Sequence, residues 1–304
     1  MGRTPVLVLV AMASFLLMSA GLTRFWVADK VLVSPADQYQ ESELEAKDAQ
    51  YFSVAEGKVV TADLRMIVTT RGDVAQATDS RVVWDEFSVV DDVTHKRQID
   101  ISERRSAFDR RTGVGVTCCG TRVNEEPVEL EGQIYLYPIG VEKKAYKFYN
   151  QTAKGAFEAT FVGEDTVNGL PVYKFQQKVP PTRIDTVNLP GSFVGLDEEG
   201  EVKLDRWYES VDTHYVEPMT GGVVKQDISR NETFKTQDGV ERSKALVADV
   251  TFTPETVEEL VGKATAAKNQ ITLLKVTIPV VLLVLGLLAI VAALLLSRLR
   301  PRNA

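Results

Sequence analysis

The sequence predicts an α+β protein: a mostly antiparallel β ectodomain with a long C-terminal stalk helix, flanked by two transmembrane helices. Three observations carry that reading: an apolar run at each end of the chain, period-two alternation through the middle, and turn signals too closely spaced for crossover connections. With 304 residues, 44% of them hydrophobic and 25% charged, the composition is that of globular material, but the charge is unevenly spread. Positions 1 to 23 hold only Arg3, and positions 271 to 304 hold only Lys275, Arg298, Arg300 and Arg302. The stretch from 24 to 270 therefore carries 30 basic and 42 acidic residues, a net of −12. A phosphate backbone repels such a region, so nucleic acid is not an expected partner.

The first element is the uncharged run Pro5 to Leu22, eighteen residues preceded by Arg3 and followed by Arg24, Phe25 and Trp26. It is long enough to span a bilayer core. A signal peptide would have a shorter apolar centre and a better cleavage site than Ser19-Ala20-Gly21, so residues 1–23 read as an uncleaved anchor. Residues 24–57 read as a linker or short helix, because Ser34-Pro35 resembles a helix start and Glu41 to Asp48 offers little apolar surface. From Lys58 the pattern changes: Val60, Ala62, Leu64, Met66 and Val68 fall on one face, with Thr61, Asp63 and Arg65 between them. That is strand periodicity, and further strand candidates continue to Phe252, giving a β-rich extracytoplasmic domain over residues 58–252.

Asn168-Gly169 marks a tight hairpin, since both residues tolerate positive φ. The segment Glu217 to Gly222 marks another reversal, and Phe108 to Gly113 echoes it with Thr-Gly at the same place. Reversals between neighbours imply an antiparallel sheet. At residues 253–275 a juxtamembrane helix is expected, with Thr253 as N-cap, Pro254 in the first turn and acids at Glu255, Glu258 and Glu259. Val257, Leu260, Val261, Ala264, Ala267 and Ile271 recur on one face of it. The 21 residues from Val276 to Leu296 lack any polar face and read as a second membrane helix, assigned to 276–297, with 298–304 as a basic tail. Basic residues collect on the cytoplasmic side of membranes, so both termini are expected there, with residues 24–270 as one extracytoplasmic domain of a double-pass plasma-membrane protein.

The chemistry is sparse. His95 and His214 are the only histidines and show no metal-ligand spacing, Ser192 in Gly191-Ser192-Phe193-Val194-Gly195 is not a nucleophile elbow, and no phosphate-binding glycine loop occurs. No catalytic residue, cofactor or metal is assigned, and an enzyme is not expected. Cys118 and Cys119 are adjacent and the only cysteines. On an oxidising side a strained vicinal disulfide between Cys118 and Cys119 is expected, the alternative being that both are reduced or one is buried. The doublets Lys96-Arg97, Arg104-Arg105 and Arg110-Arg111 either meet anionic head groups or form a solvated face paired with acids such as Asp100, Glu103 and Asp109, the second being preferred. Trp84, Phe161, Phe175 and Trp207 read as core rather than as a lipid pocket.

Several motifs occur in order between the two apolar runs. They are Phe108-Asp109-Arg110-Arg111-Thr112-Gly113 with Cys119 soon after, Tyr137-Pro138-Ile139-Gly140, Gly169-Leu170-Pro171-Val172-Tyr173, and Tyr215-Val216-Glu217-Pro218-Met219-Thr220-Gly221. Their order and the topology together resemble the actinobacterial porin PorA family, otherwise a domain of unknown function, over nearly the whole chain. The resemblance implies a mycolate-type envelope and a plasma-membrane protein facing the periplasm, and it transfers no catalytic residue. The strands carry charges at outward positions, which argues against a membrane barrel. The expected function is a non-enzymatic module that binds or hands over envelope lipids or glycolipids, with a lipid exporter as a candidate partner. The alternative is a scaffolding subunit of an envelope or lipid-export complex without its own lipid pocket.

Overall fold

The computed structural model describes residues 4–197 and 200–298, and the chain divides into two compact units. Arg3, Arg300 and Arg302, on which the orientation argument draws, lie outside the described residues. One unit is formed by the two ends of the chain, up to Val33 and from Thr265 onward. It contains α1 (Thr4–Leu22), continued through a π-helical turn into the short α2 (Ala28–Val31), and the C-terminal α4 (Ile278–Arg298). Gly286 lets α4 approach Leu17 of α1 closely. A second π-helical turn, Leu273–Thr277, precedes Pro279. Proline has no N–H to give to the carbonyl four residues back, and the Arg24 guanidinium donates to that carbonyl, Lys275 O, at 2.7 Å. The helical runs Thr4–Val31 and Pro254–Arg298 are both long and apolar enough to cross a membrane.

The other unit, Ser34–Ala264, holds a twelve-stranded sheet, antiparallel throughout its strand pairs. In chain order the strands are β1 (Tyr39–Ser53), β2 (Lys58–Gly72), β3 (Arg81–Asp92), β4 (Arg97–Asp109), β5 (Arg122–Val123) and β6 (Glu126–Pro127). They are followed by β7 (Tyr146–Asn150), β8 (Gly155–Val167), β9 (Leu170–Pro190), β10 (Glu201–Val216), β11 (Val223–Thr236) and β12 (Glu241–Phe252). Their spatial order is β6-β5-β4-β3-β2-β1-β12-β11-β10-β9-β8-β7, two meanders joined where the first strand meets the last. The mostly antiparallel β fold expected from the alternation is present.

Tyr39–Ser53, where a linker or short helix was expected, is instead the central strand β1, paired with β2 on one side and β12 on the other. The physical reason is visible in its alternation: Leu44 and Ala46 are buried, while Glu41, Glu43, Glu45 and Lys47 stand between and beyond them. A bulge between Ala46 and Ala49, with Asp48 at φ 51°, obscures the period. Glu201–Val216 form one continuous strand, β10.

The turn residues act as expected. Asn168 (φ 45°) and Gly169 (φ 83°) close the β8–β9 hairpin. The two echoing reversals have the same internal bonding. Asp109 Oδ1 accepts from the Arg111 and Thr112 amides, and Glu217 Oε2 accepts from those of Met219 and Thr220. Gly113 and Gly221 follow at φ 73° and 76°. Each glycine then offers its carbonyl to one segment of chain, Gly113 O to Ile134 N at 3.1 Å and Gly221 O to Tyr137 N at 2.8 Å. That segment also pairs through Gln133 with Phe148 of β7, so it straps the two halves of the sheet together. Arg110 Nε donates to Ser34 O at 2.9 Å, holding the start of the domain to the first reversal.

The expected N-cap is present as well. Thr256 N donates to Thr253 Oγ1 at 3.3 Å, and α3 (Pro254–Thr272) begins at the next residue. Val257 and Ala264 pack with Leu170, Val172 and Val224 in a core cluster of the sheet unit.

Candidate functional site

Strand pleating puts alternate residues on opposite faces, and the curled sheet turns one face inward around a cavity of about 810 Å³. Its lining divides by strand. The central strands β1, β2 and β12 supply an apolar wall, with Leu44, Leu64, Ala248 and Val250 in one core cluster and Met66 and Val68 packed against it. The flanking strands supply polar groups: Glu86, Asp100 and Arg104 from β3 and β4, and Arg206, Tyr208, Asp212 and Arg230 from β10 and β11. The lumen is therefore amphiphilic. Registry explains why the boundary is sharp: Ile228 and Arg230 of β11 are opposite Val250 and Ala248 of β12, so one strand carries both characters inward.

On the β10–β11 flank two guanidinium groups share one carboxylate. Arg206 Nε donates to Glu232 Oε2 at 2.6 Å, and Arg230 Nη2 donates to Glu232 Oε1. Burial would push the Glu232 carboxyl up, but Arg230 and Arg206 outweigh it and hold the carboxyl below its usual range. Nearby, Asn150 Nδ2 of β7 donates to Tyr208 Oη and Asp212 Oδ2, both at 3.2 Å, and Tyr208 Oη donates to Ser210 Oγ at 2.9 Å. Burial pushes the Asp212 carboxyl up. Asp100 is likewise raised by burial, and Arg206, Arg230 and Glu232 are the charges that act on it from the other flank.

On the β3–β4 flank Arg104 Nη2 donates to Glu86 Oε2 at 2.8 Å, and its guanidinium carbon stands 4.3 Å from the Tyr135 ring centre. Although burial opposes charge, Glu86 keeps Arg104 firmly protonated. Five polar atoms on these walls have no hydrogen-bond partner among the described residues: Arg104 Nε, Arg230 Nε, Tyr135 Oη, Tyr149 Oη and Asp212 Oδ1.

The arginine doublet Arg104-Arg105, expected to form one solvated face, is split by the pleat. Arg104 points inward, while Arg105 points outward to Asp85 and Asp73. Period two carried the signal, since adjacent strand residues cannot share a face. Of the four aromatic residues read as core, Trp84 is on the cavity wall and Phe175 is fully buried in a cluster with Tyr137 and Phe148. Trp207 and Phe161 do not line the cavity, and Lys235 stands 5.1 Å from the Trp207 ring centre.

Both histidines have polar partners. His214 is buried and shares a 2.9 Å hydrogen bond with Tyr137, while His95 Nδ1 is 2.7 Å from Asp92 Oδ2. Asp92 also accepts from Tyr51 Oη at 2.6 Å; burial would raise its carboxyl, but Tyr51 and His95 outweigh this and hold it at about 2. Among the described residues no group of three or more His, Cys, Asp and Glu side chains is placed to hold a metal. Cys118 and Cys119 sit in the turn that ends at Thr121, with their sulfur atoms against one another and Arg105 Nε donating to Cys119 O at 2.9 Å. The motif residues Phe108, Asp109, Arg110, Thr112 and Gly113, and Pro218, Thr220 and Gly221, belong to the two reversals and the strap, and none lines the cavity.

A curled antiparallel sheet around an amphiphilic lumen, in a chain with two helices of membrane-spanning length, defines a membrane protein with a β-lumen domain. The Porin PorA family model matches residues 6–295, and the chain belongs to that family. It is similar to a Porin PorA of Corynebacterium amycolatum, 34% identical over 115 residues covering 30% of each chain. It is also similar to a Porin PorA of Corynebacterium resistens, 23% identical over 239 residues covering 58% of each chain. The chain thus spans less than two thirds of either relative's length.

Proposed function

We propose that this protein is a membrane-anchored, non-enzymatic module that binds or hands over lipids or glycolipids of a mycolate-type cell envelope, working beside a lipid-exporting membrane protein. The observation that carries the reading is the lumen: its volume falls within the range of ligand sites, and its apolar wall on β1, β2 and β12 is long enough in sequence to accompany an acyl chain. Each methylene buried there contributes about 0.8 kcal/mol, so a chain of ten or more carbons would bind usefully through apolarity alone. We place both termini in the cytoplasm and residues 24–270 outside, on the strength of Arg298 and its basic neighbours in the tail.

The relatives' name suggests a channel. In this chain the outward face of the sheet carries ion pairs, such as Arg65 with Glu43 and Arg105 with Asp85, which suits water better than hydrocarbon. Native mass spectrometry of the full chain, released from detergent after exposure to envelope lipid extract, tests the proposal. Bound lipid of discrete mass, with thermal stabilisation by the same fraction, is expected. Only apo protein with no stabilisation favours the scaffolding alternative.

A further inference from the structure

We infer that the lumen selects an amphiphile with an oxyanion head, a carboxylate or phosphate, seated against Arg206, Arg230 and Arg104 while its chain follows the apolar wall. The inference rests on the lipid-binding reading above and specifies the class of lipid. Its first support is charge balance. Glu232 is engaged by two guanidinium groups at once and neutralises one of them, so the charge of the second is left to the exposed carboxyl of Asp185, opposite Arg206 in the β9–β10 register, or to a ligand. Glu86 balances Arg104. Of the other lining carboxyls, Glu45 and Glu126 pair with Lys47 and Lys154, and Asp100 and Asp212 are pushed by burial toward the neutral form.

The second support is the set of atoms without partners. Arg104 and Tyr149 are 7% and 3% exposed, yet Arg104 Nε and Tyr149 Oη have no hydrogen-bond partner among the described residues. Arg230 Nε is in the same position. A buried donor without a partner costs about 1–3 kcal/mol, so a wall bearing three of them is suited to a group that arrives from outside. Arginine offers donors and no acceptor, and an oxyanion offers acceptors and no donor. Asp212, 4% exposed with Oδ1 free, would donate to the same oxyanion in its protonated form. Asn150 and Tyr149, adjacent on β7, link the flanks: Asn150 bonds Tyr208 and Asp212, while the charge of Arg104 acts on Tyr149. The sharp boundary between Arg230 and Ile228 on β11 is where the head and chain of an amphiphile would meet.

Full-length protein in maltoside micelles is titrated with oleate, with uncharged monooleoylglycerol and with inorganic phosphate, for the parent chain and for Arg230→Gln, Arg230→Lys and Arg206→Gln. Oleate is expected to bind at least about tenfold more tightly than monooleoylglycerol, the discrimination set by charge-assisted hydrogen bonds. Arg230→Gln should remove most of that difference and lower the thermal transition, because it takes one partner from the buried Glu232, and Arg230→Lys should retain part of the difference. The comparison of oleate with monooleoylglycerol on the parent chain needs no variant to fold. Equal affinity for the two lipids, unaffected by either glutamine variant, overturns the oxyanion head and leaves lipid binding standing. Tight binding of phosphate with neither lipid bound overturns the amphiphile, and no binding of any probe overturns both readings.

Discussion

At the scale of single residues, burial sets the chemistry. The His214 imidazole is enclosed beside Tyr137 and Phe148, and that desolvation pulls it down to about 4. The folded state therefore holds it neutral, whereas the unfolded chain protonates it near pH 6.5, so its contribution is complete above about 6.5 and is lost as pH falls toward 4. The total loss is about 3 kcal/mol. Denaturant midpoints measured between pH 7 and 4 should fall accordingly, and His214→Gln should flatten that slope. Asp92, held at about 2, withdraws its contribution only below about pH 4, in a separate window. For the cysteines we propose a Cys118–Cys119 bond: a non-reduced tryptic digest should yield the peptide two hydrogens lighter than its reduced form, and free thiols in fresh membranes would refute it. Few of the lumen residues could be read from sequence. Arg206, Arg230 and Glu232 are separated by up to 26 positions, and only strand registry brings them together. Arg104 was within reach, because a doublet in a strand must send one member inward.

At the scale of elements, the two glycine reversals and the strap between them decide how the sheet is held. Gly221 and Gly169 have nearly the same φ, 76° and 83°, but a Cβ on Gly221 would strike the Tyr137 carbonyl whereas none is near Gly169. Gly169→Ala should therefore cost about 1 kcal/mol, the strain of the left-handed backbone alone, and Gly221→Ala more than about 2 kcal/mol. Chemical denaturation of the full chain compares them, and equal losses would show that the strap gives way freely. The hairpins, the Thr253 cap and both apolar helices were legible because each depends on a few consecutive residues. Strand β1 was misread because its outward charges dominate its composition, and its bulge breaks the alternation after Ala46. The strap was not legible at all, since its partners Gly113 and Gly221 are 108 positions apart.

At the scale of the whole molecule, one chain carries a β-lumen domain and two helices of membrane-spanning length. Alkaline phosphatase fused after Gln270 should be active and the same enzyme fused after Ala304 silent; the reverse pattern would remove the extracytoplasmic placement we propose. The fold class followed from period two and turn spacing, and the family from the order of its turn motifs. The lumen's mixed character did not follow, because inward polar residues on β3, β4, β10 and β11 look like solvated ones until the curl of the sheet is known. Finding where a lipid sits tests the lumen as a lipid site. A fatty acid carrying a photoreactive group near its methyl end is crosslinked to full-length protein, and the modified residues are mapped by mass spectrometry. Labelling on the inward residues of β1, β2 and β12, such as Leu44, Met66 and Val250, and its loss in the lumen-filling variant Ala248→Trp, is the predicted result. Labelling confined to Thr4–Val31 and Pro254–Arg298, unchanged by Ala248→Trp, would contradict it.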